Sequence, residues 1–214
     1  MINLITKSAR DTQGGEVYAG GGTEHAAMTG ARYGWLADTN VYARVYGIYN
    51  YDNPTVKIGG GDAWDATSGG QGGFRLDGYP RDTTQWTLKG DLHWAANDSI
   101  LVQPDLAQPL NNYNLTNNAM ARDLGGQLLG HWQSELNPDS TLQAQAYYDY
   151  TQTHLAISGS DVQTADVQLH HTWTGWQRQV IDWGMDGRMV YRDELPGQKA
   201  EIPRGVYAKV TWKF

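Results

Sequence analysis

Residues 141–151 read Thr-Leu-Gln-Ala-Gln-Ala-Tyr-Tyr-Asp-Tyr-Thr and alternate without a break. Leu142, Ala144, Ala146, Tyr148 and Tyr150 share one side, and Gln143, Gln145, Tyr147, Asp149 and Thr151 share the other. Successive side chains on a strand point to opposite faces, so this pattern predicts a long strand with one apolar and one polar face. Residues 86–94 repeat it, with Trp86, Leu88, Gly90, Leu92 and Trp94 against Thr87, Lys89, Asp91 and His93. So does the C-terminus, where Val206, Ala208, Val210, Trp212 and Phe214 oppose Tyr207, Lys209, Thr211 and Lys213. Residues 165–173 and 180–191 follow the same period, and 31–35, 41–49 and 72–79 follow it more loosely.

These runs predict ten strands, roughly 14–22, 26–37, 39–51, 71–79, 84–95, 122–135, 141–152, 163–173, 179–191 and 204–214. Short links (Ala37–Asn40, Pro80–Thr83, Asn137–Ser140, Gly175–Arg178) alternate with longer ones over 52–70, 96–121, 153–162 and 192–203; the link at 22–25 breaks the rule. An even strand count with turns at one end and loops at the other predicts an all-β, antiparallel up-and-down transmembrane β-barrel of about ten strands, one domain over 14–214.

Composition agrees. Nine Trp and thirteen Tyr stand against two Phe, and aromatic rings with a polar handle collect where one end is dry and the other wet. The net charge of −7 argues against a nucleic-acid partner, which needs a basic face. No cysteine excludes a disulfide framework and a thiol nucleophile. No apolar run is long enough for a membrane helix, which leaves a strand-built span open. Met1 leads directly into Ile-Asn-Leu-Ile-Thr-Lys without the pattern of a signal peptide.

Strand direction sorts the aromatics. Trp35, Trp86, Trp132, Trp173, Trp176, Trp183 and Trp212 fall near the short-turn end; Tyr49, Tyr51, Tyr148, Tyr150 and Tyr191 fall near the other, as two membrane-interface girdles would. The same parity puts Arg32, Arg44, Arg75, Lys89, Arg188, Lys209 and Lys213 on the inward face with Glu16, Asp77, Asp91, Asp149, Asp166, Asp182 and Asp186. Asp123 and Glu135 add acids at the rims. A barrel this narrow is expected to be crossed by Arg–Asp pairs and to conduct poorly.

Several segments resemble the TonB-dependent outer-membrane receptor family, importers of ferric siderophores, cobalamin and similar ligands. Ile2-Asn3-Leu4-Ile5-Thr6-Lys7 is similar to the segment that closes the family's plug and enters its barrel. Gly14-Gly15-Glu16-Val17-Tyr18-Ala19-Gly20-Gly21-Gly22 resembles its first barrel strand, and Asp91-Leu92 and Gln143–Asp149 resemble early strands. Ile202–Phe214 resembles the closing strand, whose Val210, Trp212 and terminal Phe214 correspond to the signal read by the barrel assembly machinery. The resemblance makes residues 1–13 the remnant of a plug end and implies an outer-membrane location among lipid and lipopolysaccharide. The family builds about 22 strands around a plug. Here most of the plug, the TonB box and about twelve strands are missing, with a join between 173 and 202. TonB coupling and energised transport are therefore not carried over.

Other candidates carry less chemistry. The glycine-rich stretch Gly59-Gly60-Gly61-Asp62-Ala63-Trp64-Asp65 with Ser68-Gly69-Gly70 lacks the following helix that a phosphate cradle needs, and reads as a surface loop with Trp64 exposed. Tyr113 among Asn111, Asn112, Asn114, Asn117 and Asn118 reads as a polar loop. His25, His93, His131, His154, His170 and His171 do not form a three-ligand set, so neither metal nor cofactor is expected. Asp52, Asp62, Asp65, Asp98 and His154 could reach one rim, but no motif joins them and no enzyme is expected. The leading expectation is a non-transporting barrel. The alternatives are a small passive pore or ligand-binding remnant, and a soluble Trp-rich carbohydrate-binding β domain.

Overall fold

A computed structural model of the chain describes residues 6–104, 114–155, 159–175, 179–193 and 205–212. A 3-10 turn at Arg10–Thr12 precedes ten strands: β1 (Gly14–Gly20), β2 (His25–Asp38), β3 (Val41–Asp52), β4 (Thr67–Arg81), β5 (Thr84–Pro104), β6 (Asn114–Asn137), β7 (Ser140–His154), β8 (Gly159–Trp173), β9 (Gln179–Asp193) and β10 (Gly205–Trp212). Each pairs antiparallel with its neighbour in sequence, giving one up-and-down sheet in the order β1 to β10. Among the described residues β1 and β10 each pair on one side only.

Two-residue turns join β2 to β3, β4 to β5 and β6 to β7 at one end of the sheet. In the first, Asn40 takes a left-handed φ of 62°, a conformation that tight hairpins demand and that Asn tolerates better than other non-glycine residues. Asp38 Oδ1 accepts the Thr39 amide at 2.7 Å and braces the same turn.

Two expected connections are in part strand. The ladder between β5 and β6 runs from Thr84↔Ser134 to Pro104↔Asn114, so much of 96–121 is an extended hairpin, with Asn114, Asn117 and Asn118 in its backbone. The run Ile100-Leu101-Val102 has no alternation to reveal it, yet a two-stranded ladder needs only paired backbone groups. Likewise β4 begins at Thr67, and Ser68-Gly69-Gly70 pair with β3 and β5 without offering a side-chain pattern. Asn111, Asn112, Tyr113, Trp176, Lys213 and Phe214 lie outside the described residues.

Burial is inverted relative to a water-soluble sheet. Among the described residues the buried apolar ones are Ala9 and Ala43, whereas Thr12, Asp77, Ser134, Ser140 and Asp166 are buried polar ones. Large apolar side chains remain open, with Val17 at 79%, Leu92 at 71% and Val167 at 61% exposure. A soluble sheet buries its apolar face against a second layer. Among the described residues no such layer covers this one.

The turn conformation can be tested directly. Asn40→Val is expected to lower the stability measured by chemical denaturation by about 1–2 kcal/mol, the cost of a left-handed residue with a branched Cβ. Asn40→Gly should leave the midpoint nearly unchanged.

Candidate functional site

Cross-strand register decides which side chains share a face. Glu16 pairs with Arg32. Arg44 pairs with Arg75, and Arg75 with Lys89. Asp91 pairs with Gln127, and Gln127 with Asp149. Asp166 pairs with Arg188, and Gln168 with Asp186. Asp182 pairs with Thr172 and with Lys209. Partners across a ladder lie on the same side, and each strand alternates, so the charges on β1 to β9 named here and Asp77 all fall on one face.

The ion pairs run along the wall between near neighbours. Arg32 Nη2 meets Glu16 Oε2 at 2.5 Å, Arg75 Nε meets Asp77 Oδ2 at 2.7 Å, and Arg188 Nε meets Asp166 Oδ2 at 2.9 Å. Among the described residues these pairs form within one strand or between adjacent ones. Elsewhere the acids take neutral donors: Gln127 Nε2 donates to Asp91 at 2.7 Å, and Thr172 Oγ1 to Asp182 at 2.8 Å. Thr151 reaches Asp149 only at 3.5 Å.

The turn end of this face holds the segment before β1, which the alternation pattern could not foresee. Ala9 is fully buried there, and its amide donates to Asp77 Oδ2 at 2.6 Å. Asp77 also accepts from Arg75 and, at 2.6 Å, from Thr87 Oγ1, so a carboxylate only 2% exposed is well supplied with donors. Three guanidiniums hold the segment's backbone oxygens: Arg75 on Thr6 at 3.3 Å, Arg44 on Lys7 at 3.1 Å and Arg32 on Thr12 at 2.8 Å. Arg10 adds cation–π contact with Tyr42 and Tyr79, 5.7 and 5.8 Å from the ring centroids. Gly34 makes room, since a Cβ at that position would press on the Thr12 carbonyl.

The opposite face carries the described tryptophans and tyrosines of the two expected girdles. Trp86 and Trp132 are directly paired across β5 and β6, and Trp35 stacks on Tyr33 at 5.9 Å. Trp173 pairs with Ser140, and Trp183 with His171. Toward the other end, Tyr49 and Trp94 lie 6.2 Å apart, Tyr148 donates to Gln163 at 3.0 Å, and Tyr150 and Tyr191 both pair with Gln163. Trp86 and Trp94 are eight residues apart on β5, about 26 Å along the strand and roughly 20 Å in height at a tilt near 40°. The backbones of Val210 and Trp212 pair with Ile181 and Gln179.

A serine–histidine contact, absent from the sequence reading, has a definite polarity. Trp183 Nε1 donates to His171 Nδ1 at 2.8 Å, and His171 Nε2 lies 2.7 Å from Ser140 Oγ. Indole nitrogen only donates, so neutral His171 carries its proton on Nε2 and donates to Ser140. The imidazole cannot take the Ser140 proton in this arrangement; the contact fixes a Trp at the sheet's rim and is not a nucleophile dyad.

The rim acids do not assemble. His25 Nδ1 pairs with Asp52 at 2.8 Å, Asp62 bridges to Val56, and Asp65 serves Thr55. Asp98 donates its backbone amide to Ala66 O, and His154 ends β7. Trp64 is 48% exposed, with a φ of 58°. Among the described residues no three His, Asp or Glu side chains converge as metal ligands would.

Asp65 lies in the loop between β3 and β4, where the Thr55 hydroxyl at 2.6 Å, and then its amide, hold the carboxyl below its ordinary value of 3.8. Such a group stabilises the loop above its unfolded value and loses that contribution as pH falls through the lowered folded value. Exchange of the Thr55 amide is therefore expected to quicken below about pH 4, and Asp65→Asn should remove the step. A second test concerns the docked segment. Asp77→Ala strands Arg75 and is expected to cost about 3–5 kcal/mol, with trypsin cutting faster after Lys7 and Arg10. Comparison of the chain with protein-family models, with curated proteins and with solved structures found no match to any of them.

Proposed function

We propose that the chain is an outer-membrane β-barrel that closes by bringing β1 against β10, and that it resembles a truncated TonB-dependent, siderophore-type receptor without energised transport. The observation that carries this reading is the inverted burial. Among the described residues sixteen large apolar side chains on the face opposite the charges exceed one-third exposure, Val17, Leu92, Leu128 and Met189 among them, while Asp77 and Asp166 are 2% exposed on the other face. Lipid is the solvent in which that distribution is favourable, because it covers the apolar face and leaves the charges to the interior.

Four further features support it. Strands β2 to β9, each of 12 residues or more, are long enough to cross an apolar band, the two aromatic rows bracket one, the order is strictly up-and-down, and the short turns gather at one end. Closure would remove the two open edges, which are otherwise templates for aggregation. The partners implied are outer-membrane lipid and lipopolysaccharide, and the machinery that assembles barrels. The charged face is lined by ion pairs and by the docked segment, which supports a structural role over a conducting one. A soluble Trp-rich sugar-binding domain would need a second layer over Val17, Leu92 and Val167.

Neighbouring residues on opposite faces give the test. Leu128→Arg is expected to destabilise the detergent-folded protein by about 2–4 kcal/mol, the cost of a cation on a lipid face at mid-depth. Gln127→Arg, beside Asp91 and Asp149, should be tolerated. Unboiled protein should migrate faster than boiled protein on a gel. Equal tolerance of both substitutions, with full solubility in the absence of detergent, would refute the membrane reading. Stable unitary currents in a planar bilayer would replace the structural role with a small passive pore.

A further inference from the structure

The docked segment and strands β1–β3 line an open cavity of about 500 Å³ whose lining includes Lys7, Asp11, Thr12, Glu16, Arg32 and Arg44. Its charges are unevenly matched. Glu16 is taken up by Arg32, through Nη2 at 2.5 Å and Nε at 3.2 Å. Asp11 accepts from Ser8 Oγ at 2.7 Å. Neither Lys7 nor Arg44 forms an ion pair among the described residues.

Arg44 is the sharper case. Its two hydrogen bonds go to neutral oxygens, the Lys7 carbonyl at 3.1 Å and Thr12 Oγ1 at 3.3 Å, and its Nε is buried with no partner. It also stands directly opposite Arg75, a like charge whose own carboxylate partner is Asp77. A guanidinium in this position lacks the anion that its planar fork is shaped to bind, and an ionised acceptor forms a bond roughly twice as strong as a neutral carbonyl does.

We propose that this cavity binds a compact oxyanion, a phosphate or carboxylate group, between Arg44 and Lys7 with Arg32 at its edge. The anion joins the docked segment to the wall of the sheet, because Lys7 belongs to the first and Arg44 to the second. The site lies within β1–β3 and the segment, so it does not depend on closure of the sheet or on a membrane.

Titration calorimetry of the full chain with inorganic phosphate, and separately with succinate, tests the proposal at low ionic strength. Saturable binding of either probe is expected, weakened about tenfold by Arg44→Gln, the loss of a charge-assisted hydrogen bond. Lys7→Gln changes an exposed residue, leaves folding untouched, and should weaken binding similarly. Arg122→Gln, far from the cavity, should leave it unchanged. The bound anion should also slow tryptic cleavage after Arg10. Phosphate without succinate, or the reverse, assigns the group. No saturable binding of either, or full binding by the Arg44→Gln and Lys7→Gln variants, overturns the proposal.

Discussion

Register between neighbouring strands is the constraint on which the molecule depends. Side chains alternate with a period of two, so a slip of one residue between two strands would carry every charge to the apolar side. Glu16↔Arg32, Arg44↔Arg75↔Lys89 and Asp166↔Arg188 stay together on one side only because each ladder holds its phase. The shifts that do occur, at His25/Ala27, Leu36/Asp38, Gly78/Arg81 and Glu135/Asn137, lie at strand ends. Segregation of the faces is thus a consequence of pairing geometry repeated nine times over.

The same constraint creates a local electrostatic difficulty. Arg44, Arg75 and Lys89 form a row of like charges on three adjacent strands, an arrangement that is unfavourable in itself. Asp77 relieves the middle member, and the segment before β1 supplies carbonyl oxygens to Arg75, Arg44 and Arg32. The segment docks where the sheet is richest in unmatched donors. Asp77 therefore has two structural roles, as counter-ion to Arg75 and as acceptor for the Ala9 amide.

Long alternation made the strands readable, and residues 141–151 alone announced the two faces that β7 presents. Turn chemistry at Thr39-Asn40 and Pro138-Asp139 was legible because few residues suit two-residue connections. Three features were not legible. The β5–β6 extension has no period of two around Ile100-Leu101-Val102. Ser68-Gly69-Gly70 has too few side chains to show a phase. The docking of Ala9 rests on a backbone amide, which every residue but proline possesses, so no residue type could signal it. The His171 contact with Ser140 and Trp183 joins three strands and becomes visible only once the register is known.

Beyond its last ladder pairings with β4, at Asn97, and with β7, at Arg122, and one further bond from the Asp98 amide to Ala66 O, the β5–β6 hairpin continues with no third strand paired to it among the described residues. Residues Asp98–Pro104 add about 23 Å to its length at strand rise. A two-stranded ribbon of this kind is marginally stable alone, and its outward-facing backbone donors and acceptors past Asp98 have no strand partner among the described residues. Anything that nears the molecule from that end meets a projecting arm before it reaches the wall, and the arm can accept an extra strand without disturbing the ladder beneath it.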